Sequence, residues 1–385
     1  MKYQSLNATS AILALWYVTN TSLSAFYKLT EQFGDAKQAL MAELTKWQEL
    51  GVHNAHIKRC QDADDVMAMV DGLYDESERG TYGMLFMDDE RYPDMLRQIY
   101  DPPPVLFYRG EVARLSDRQV AIVGSRHPTE FAYQTTLNMA EYLTHQGLTV
   151  TSGLASGIDK AAHLGALLNG RGQTVGVMGT GINVCYPKNQ NALYAQIIND
   201  GGCLISELLP ATPPTKHNFP RRNRLVAGLS LATLVTEAAI ASGSLITARL
   251  SAEQGKQVFA MPSSVDNVNA EGCHHLIREG VTLIYHPNQI VDELSESMTG
   301  YNALPKTFSR GVSALDDAHQ KPPVPTPVVI PSHLQGVFDK LPDKPTDLDT
   351  LVMMTASDVG VLLGSLLELE MLGVVKVVGG RYERI

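Results

Sequence analysis

The stretch Gln119-Val120-Ala121-Ile122-Val123-Gly124-Ser125-Arg126 decides the reading of the fold. Four consecutive apolar residues suit a strand covered on both faces, and the Gly-Ser pair behind them suits a tight turn out of that strand. The pattern then repeats. Leu148 to Thr151, Thr174 to Met178, Cys203 to Ile205, Leu231 to Thr236, Val258 to Ala260 and Thr282 to Tyr285 are further apolar runs, separated by stretches with helical spacing. Such alternation predicts an α/β fold, an extended Rossmann-like, doubly wound and mostly parallel sheet between layers of helices, over residues 86–296.

Upstream, residues 1–85 carry helix-like apolar spacing (Leu13 and Tyr17, Leu23 and Tyr27), and Asp62-Ala63-Asp64-Asp65 suits a helix N-terminus. A small N-terminal helical domain is expected, with its first helix started by Thr9 or Ser10. Asp101-Pro102-Pro103-Pro104 marks an extended connector into the strand Val105 to Tyr108. Downstream, the tract Lys321-Pro322-Pro323-Val324-Pro325-Thr326-Pro327 makes 297–330 a semi-rigid linker. Residues 331–385 then outline a winged helix: a helix before Leu341, a second near Asp347 to Met354, a third from Ser357 to Leu372, and a hairpin turning at Gly379-Gly380. The third helix carries Asp358, Glu368 and Glu370 and no Lys or Arg between Ser357 and Gly373, which suits protein contact better than groove reading.

The chain has a net charge of −10, which by itself argues against a polyanion as ligand. The charge is unevenly placed, however. Residues 1–90 sum to −7 and 331–385 to −3, whereas 120–290 sum to +1, so an anion is expected to meet the middle of the chain. Cys60, Cys185, Cys203 and Cys273 lie far apart without Cys-x-x-Cys spacing, which argues against a zinc site or a disulfide framework and fits a reducing cytoplasm. Apolar stretches stay short of a membrane span.

In an open parallel sheet ligands meet the carboxyl ends of the strands, and small residues recur at those ends here. They are Gly124-Ser125-Arg126, Ser152-Gly153-Leu154-Ala155-Ser156-Gly157, Gly179-Thr180-Gly181 and Ser242-Gly243-Ser244. The third glycine of a dinucleotide fingerprint is missing, and so is a Walker sequence, so no cofactor is expected. Phe219-Pro220-Arg221-Arg222-Asn223-Arg224 puts three guanidinium groups within four residues, and Arg126 and Lys188 fall on strand-end loops that the fold would bring near. Phosphate binding is the chemistry these cations serve best beside glycine loops, although an arginine run is often only a solvated face. Asp159 and His163, four apart on one helix face, read either as an acid/base or metal pair or as a loop brace and a satisfied histidine. The absence of a second ligand cluster favours the latter, with no metal. Glu237 reads either as a general base or as an anchor for the loop after it, and no nucleophile–base–orienter set assembles.

Taken together, Val123 to Arg126, Ser152 to Asp159 with His163 and Gly165-Ala166-Leu167, Tyr186-Pro187-Lys188-Asn189, Ser206-Glu207, Phe219 to Arg224, Glu237-Ala238 and Ser242-Gly243-Ser244 with Thr247-Ala248 resemble the DprA/Smf family in order and spacing across residues 92–290. The resemblance implies a protein without a known catalytic activity that binds single-stranded DNA during natural transformation (competence), forms a homodimer, and loads a RecA-type recombinase while displacing single-strand-binding protein. It also implies an N-terminal domain of sterile-alpha-motif type and a winged-helix tail. By motif position, Arg126, Lys188, Asn189, Arg221, Arg222, Asn223 and Arg224 would contact DNA, with Gly124, Ser125, Ser152, Gly153, Gly157, Ser242, Gly243 and Ser244 shaping the pocket. The sequence departs from the family at Ser263, where glycine is common, and at His274, where asparagine is. Both lie beside the 273–285 region where the family tends to dimerise.

A competing reading on the same scaffold is a nucleotide phosphoribohydrolase of the lysine-decarboxylase-like group. That group shows a Pro-Gly-Gly-x-Gly-Thr loop, and Glu237-Ala238-Ala239-Ile240-Ala241-Ser242-Gly243 lacks the double glycine.

Overall fold

A computed structural model describes residues 2–301, 331–342, 346, 348–355, 362, 365–366, 369, 374–378 and 381–384. The chain forms two compact units, Met1–Pro305 and Lys306–Ile385.

The first unit begins with six helices, α1 (Ala8–Val18), α2 (Leu23–Phe33), α3 (Ala36–Met41), α4 (Leu44–Glu49), α5 (Asn54–Gln61) and α6 (Ala63–Glu78). The cap of α1 is Asn7, whose side chain accepts from the Ser10 amide at 2.8 Å, rather than Thr9 or Ser10. Asp62 caps α6 as its spacing suggests.

Nine strands follow: β1 (Gly83–Phe86), β2 (Val105–Gly110), β3 (Gln119–Val123), β4 (Thr149–Ser152), β5 (Thr174–Val177), β6 (Cys203–Ser206), β7 (Ala232–Val235), β8 (Gln257–Ala260) and β9 (Thr282–Leu283). The helices between them are α7 (Asp94–Arg97), α8 (Glu130–His145), α9 (Ile158–Leu167), α10 (Asn191–Asn199), α11 (Asn218–Leu229), α12 (Gly243–Glu253) and α13 (Glu271–Arg278), with α14 (Pro287–Tyr301) after β9. All nine strands join one sheet in the order β1-β2-β6-β5-β4-β3-β7-β8-β9. Pairing is parallel from β6 to β9 and antiparallel at β1–β2 and β2–β6.

Both faces of the parallel part are covered, which explains the uninterrupted apolar runs. Val120, Ile122, Val150 and Leu234 face α8, α9 and α14 through Met139, Leu143, Ala162 and Ile290. Ala121, Val123, Val175 and Val235, alternating with them, face Leu225, Val226 and Leu229 of α11 and Ala248 of α12. The N-terminal helices share a core with the β2 and β6 side of the sheet, where Trp16 and Trp47 join a cluster that includes Phe107 and Leu204. Trp16 Nε1 donates to the Glu207 carbonyl at 2.9 Å.

Chain order reverses at β3, whose neighbours are β4 on one side and β7 on the other. A crevice opens there beyond the carboxyl ends of the strands, because the helices after β3 and β7 run to opposite faces.

In the second unit, α15 (Ser332–Phe338), α16 (Leu348–Thr355) and the antiparallel pair β10 (Val375–Val378) and β11 (Arg381–Arg384) enclose Leu334, Phe338, Leu351, Leu362, Leu366 and Leu369. The tract 321–327, most of 357–372 and the Gly379-Gly380 turn lie outside the described residues.

Candidate nucleic-acid interface

A cleft of about 620 Å³ occupies that crevice, lined by Gly124, Ser125, Arg126, Gly153, Asn223, Gly243 and Ser244 among others. Three of the four small-residue loops therefore meet as their spacing predicts, and the Gly179 loop reaches an adjoining depression that shares Arg126, Tyr186, Phe219 and Arg222.

The backbone of these loops is tightly specified. Gly157 takes φ +80°, and a Cβ there would collide with the Ser125 and Arg126 carbonyls. Ile158 N, next along, donates to Ser125 O at 3.0 Å and locks the β3 and β4 loops together. At Gly153 a Cβ would lie 2.7 Å from Asp159 Oδ2 and against the Arg222 guanidinium. Leu154 is a non-glycine residue at φ +62°, and Gln190 Nε2 donates to its carbonyl at 3.0 Å. That bond ties the turn carrying Lys188 and Asn189, both exposed, to the β4 loop.

The cations divide into exposed side chains and buried struts. Arg126 is exposed, with its guanidinium carbon 6.0 Å from the Phe219 ring centre. Phe219 in turn sits 5.3 Å from the Tyr186 ring at a tilt of 39°, and Tyr186 is 41% exposed. Lys216 completes the positive lining. Arg222 is 6% exposed and donates through Nη1 to both Gly153 O and Val177 O. It floors the cleft, and burial lowers its pKa while Asp159 opposes that change. Asn223 Nδ2 donates to Gly243 O at 3.3 Å and fixes α11 against the start of α12.

Arg221 and Arg224 take the other side of α11. Both converge on Glu207, Arg221 Nη2 at 3.0 Å, and Arg224 Nε stands 3.5 Å from Asp101. Ser152 is fully buried and donates to Ile122 O at 2.6 Å, so its hydroxyl serves the sheet. At α12 the cap is Ser242, whose Oγ accepts from Ser244 N at 3.2 Å, while Ser244 Oγ donates to Gly124 O at 2.7 Å. This leaves the first turn of α12 facing the cleft with its positive dipole end.

The residues with two readings all make contacts within the scaffold. Asp159 accepts from Ala155 N at 3.2 Å and braces the loop; burial raises its pKa, with Arg222 opposing. His163 is fully buried, its Nδ1 2.7 Å from Thr174 Oγ1, and burial pushes its pKa down to about 3. Glu237, 1% exposed, accepts from Thr129 N at 2.9 Å, Thr129 Oγ1 at 2.7 Å and Asn267 Nδ2 at 3.1 Å, anchoring the cap of α8. The departures at 263 and 274 meet: Ser263 N donates to His274 Nε2 at 3.3 Å. Among the described residues no group of three metal-type side chains occurs, and no helix is long and apolar enough to cross a membrane.

Tyr186, Phe219 and Lys216 were not singled out from sequence as contact residues. Their signal is present, since an aromatic precedes Lys188 by two positions and Arg221 by two, an interleaving that single-strand binders use.

Residues 83–295 match the family model described as DNA recombination-mediator protein A, and residues 320–381 match that of the DprA winged helix domain. Protein Smf of Escherichia coli is 36% identical over 80% of this chain and 79% of its own. The DNA processing protein DprA of Streptococcus pneumoniae is 43% identical over 53% of this chain and 72% of its own. Among solved structures, DprA of S. pneumoniae superposes with a TM-score of 0.64 at 33% identity, covering 75% of this chain and 99% of that one. DNA processing protein A of Helicobacter pylori, studied for its single-stranded DNA binding mode, gives 0.50 at 29% identity, covering 56% and 96%. With its switch-point cleft and its winged-helix tail, the chain belongs to the DprA/Smf family of DNA-processing proteins.

Proposed function

We propose that this protein binds single-stranded DNA in the switch-point cleft, protects it during natural transformation and recombination, and passes it to a RecA-type recombinase. The observation that carries the reading is the grouping of exposed Arg126, the Tyr186–Phe219 ring pair and the open start of α12 in one cleft. A guanidinium and a helix N-terminus suit phosphates, and exposed rings suit unpaired bases, which a duplex keeps stacked within itself. Lys216 lines the cleft, exposed Lys188 follows Pro187 of the adjoining depression and offers a further charge to the strand's backbone, and Arg222, Asn223 and the glycine loops hold the walls.

The reading needs no chemical step. The alternative nucleotide hydrolysis would require Glu237 as base, yet its carboxylate is buried and occupied by Thr129 and Asn267. A homodimer through the β9 end of the sheet is supported by the exposed apolar side chains Leu283 and Tyr285 beside the edge strand and Val265 and Val268 nearby.

Gel-shift titration of oligo-dT against a duplex of equal length tests the function, with preference for the single strand expected. Equal affinity for both, or release of adenine on incubation with AMP, would overturn it.

A further inference from the structure

We propose that the groove on the opposite side of α11 is a second subsite for the same single strand, taking up nucleotides that leave the cleft; this rests on the reading above. The first turn of α11 and the residues before it form a ridge with cationic side chains on both slopes. Lys216 and Arg222 line the cleft, His217, Arg221 and Arg224 line the rear groove, and Pro220 lines both, so the two depressions meet over that proline.

Two further observations point to a ligand. Arg224 is nine-tenths buried, and among the described residues neither its Nη1 nor Nε of Arg221 finds a hydrogen-bond acceptor. Both atoms are closed to solvent, so a phosphate oxygen in the groove would meet Arg221, whose side chain stays 23% exposed where it lines that groove. The groove also receives the start of α2 through Ser22 and Leu23. The second observation is Tyr100, whose side chain is entirely exposed and which lines the two depressions continuing from the groove around Asp101. A fully exposed ring in a depression that an arginine also lines is an arrangement on which an unpaired base stacks. Of the acidic groups there, Glu207 is occupied by the two arginines, Asp101 stands 3.5 Å from Arg224 with burial raising its pKa, and Glu253 and Glu31 line the two further depressions together with Lys256 and Lys28.

The test compares oligo-dT of about 6 and about 20 nucleotides, chosen to fall within and beyond the span one such module covers. Tyr100→Ala and His217→Ala change exposed side chains and leave the core intact. Each should weaken the longer oligonucleotide, Tyr100→Ala by about fivefold or more, and leave the shorter one unchanged. Arg126→Ala should weaken both. If Arg126→Ala weakens both while Tyr100→Ala and His217→Ala affect neither, the second subsite is refuted and the cleft stands. If Arg126→Ala also has no effect, the reading of the cleft itself fails.

Discussion

Arg222→Ala separates the arginine that builds the cleft from the exposed Arg126 that lines it. The side chain bridges Gly153 O and Val177 O, joining the ends of β4 and β5, and faces the buried carboxylate of Asp159. Its removal leaves two carbonyls short of a donor and Asp159 short of a countercharge. Breaking a buried pair of this kind costs about 3–5 kcal/mol, a large part of the roughly 5–15 kcal/mol that holds a typical domain together. Both tryptophans, Trp16 and Trp47, are fully buried in the same compact unit, so their fluorescence reports its unfolding in urea. The midpoint should fall by about 1–2 M. Adding Asp159→Asn should restore part of the loss, a coupling of about 1 kcal/mol or more. Arg126→Ala, at an exposed position, should move stability by under about 0.5 kcal/mol. An unchanged midpoint for Arg222→Ala, or no recovery in the double variant, would refute the assignment of Arg222 as a strut.

Glu237→Ala should destabilise by about 1–3 kcal/mol, read as a lower melting temperature, because Thr129 and Asn267 lose a buried acceptor. Asn7→Ala should cost about 1 kcal/mol through the cap of α1, measured by urea unfolding. His163 gives a pH signature. Its folded pKa of about 3 lies below its ordinary 6.5, so the unfolded chain takes up the proton first, and the stabilisation present above pH 6.5 is lost as pH falls below it. The loss should approach about 1.4 kcal/mol per pH unit, and His163→Gln should flatten it; a wild-type profile equally flat from pH 7 to 5 would contradict the buried neutral imidazole.

The sheet was legible because burial on both faces writes itself into composition: β3 to β8 all coincide with apolar runs. β1 was not read, although Met84-Leu85-Phe86-Met87 is an apolar run as long as that of β3; a short apolar run alone does not tell strand from helix, and here pairing with β2 decides it. Glycine loops fixed where the cleft lies, because topology brings strand ends together regardless of side-chain detail. The arginine run could be read only as a cluster. On a helix each residue turns by about 100°, so Arg221 and Arg224 share one side and Arg222 points elsewhere, a division visible only once α11 is known to begin at Asn218. Likewise the partners that make Glu237 an anchor, Thr129 and Asn267, are distant in sequence and leave no local trace.

If cations in the switch-point cleft hold the phosphates of a single strand, binding must be linked to salt. Oligo-dT affinity, followed across salt concentration for the wild type and Arg126→Ala, should fall steeply with salt in the wild type. The variant should bind more weakly, with its log–log slope shallower by about 0.7, one phosphate contact. Identical affinities and slopes for the two proteins would contradict the account.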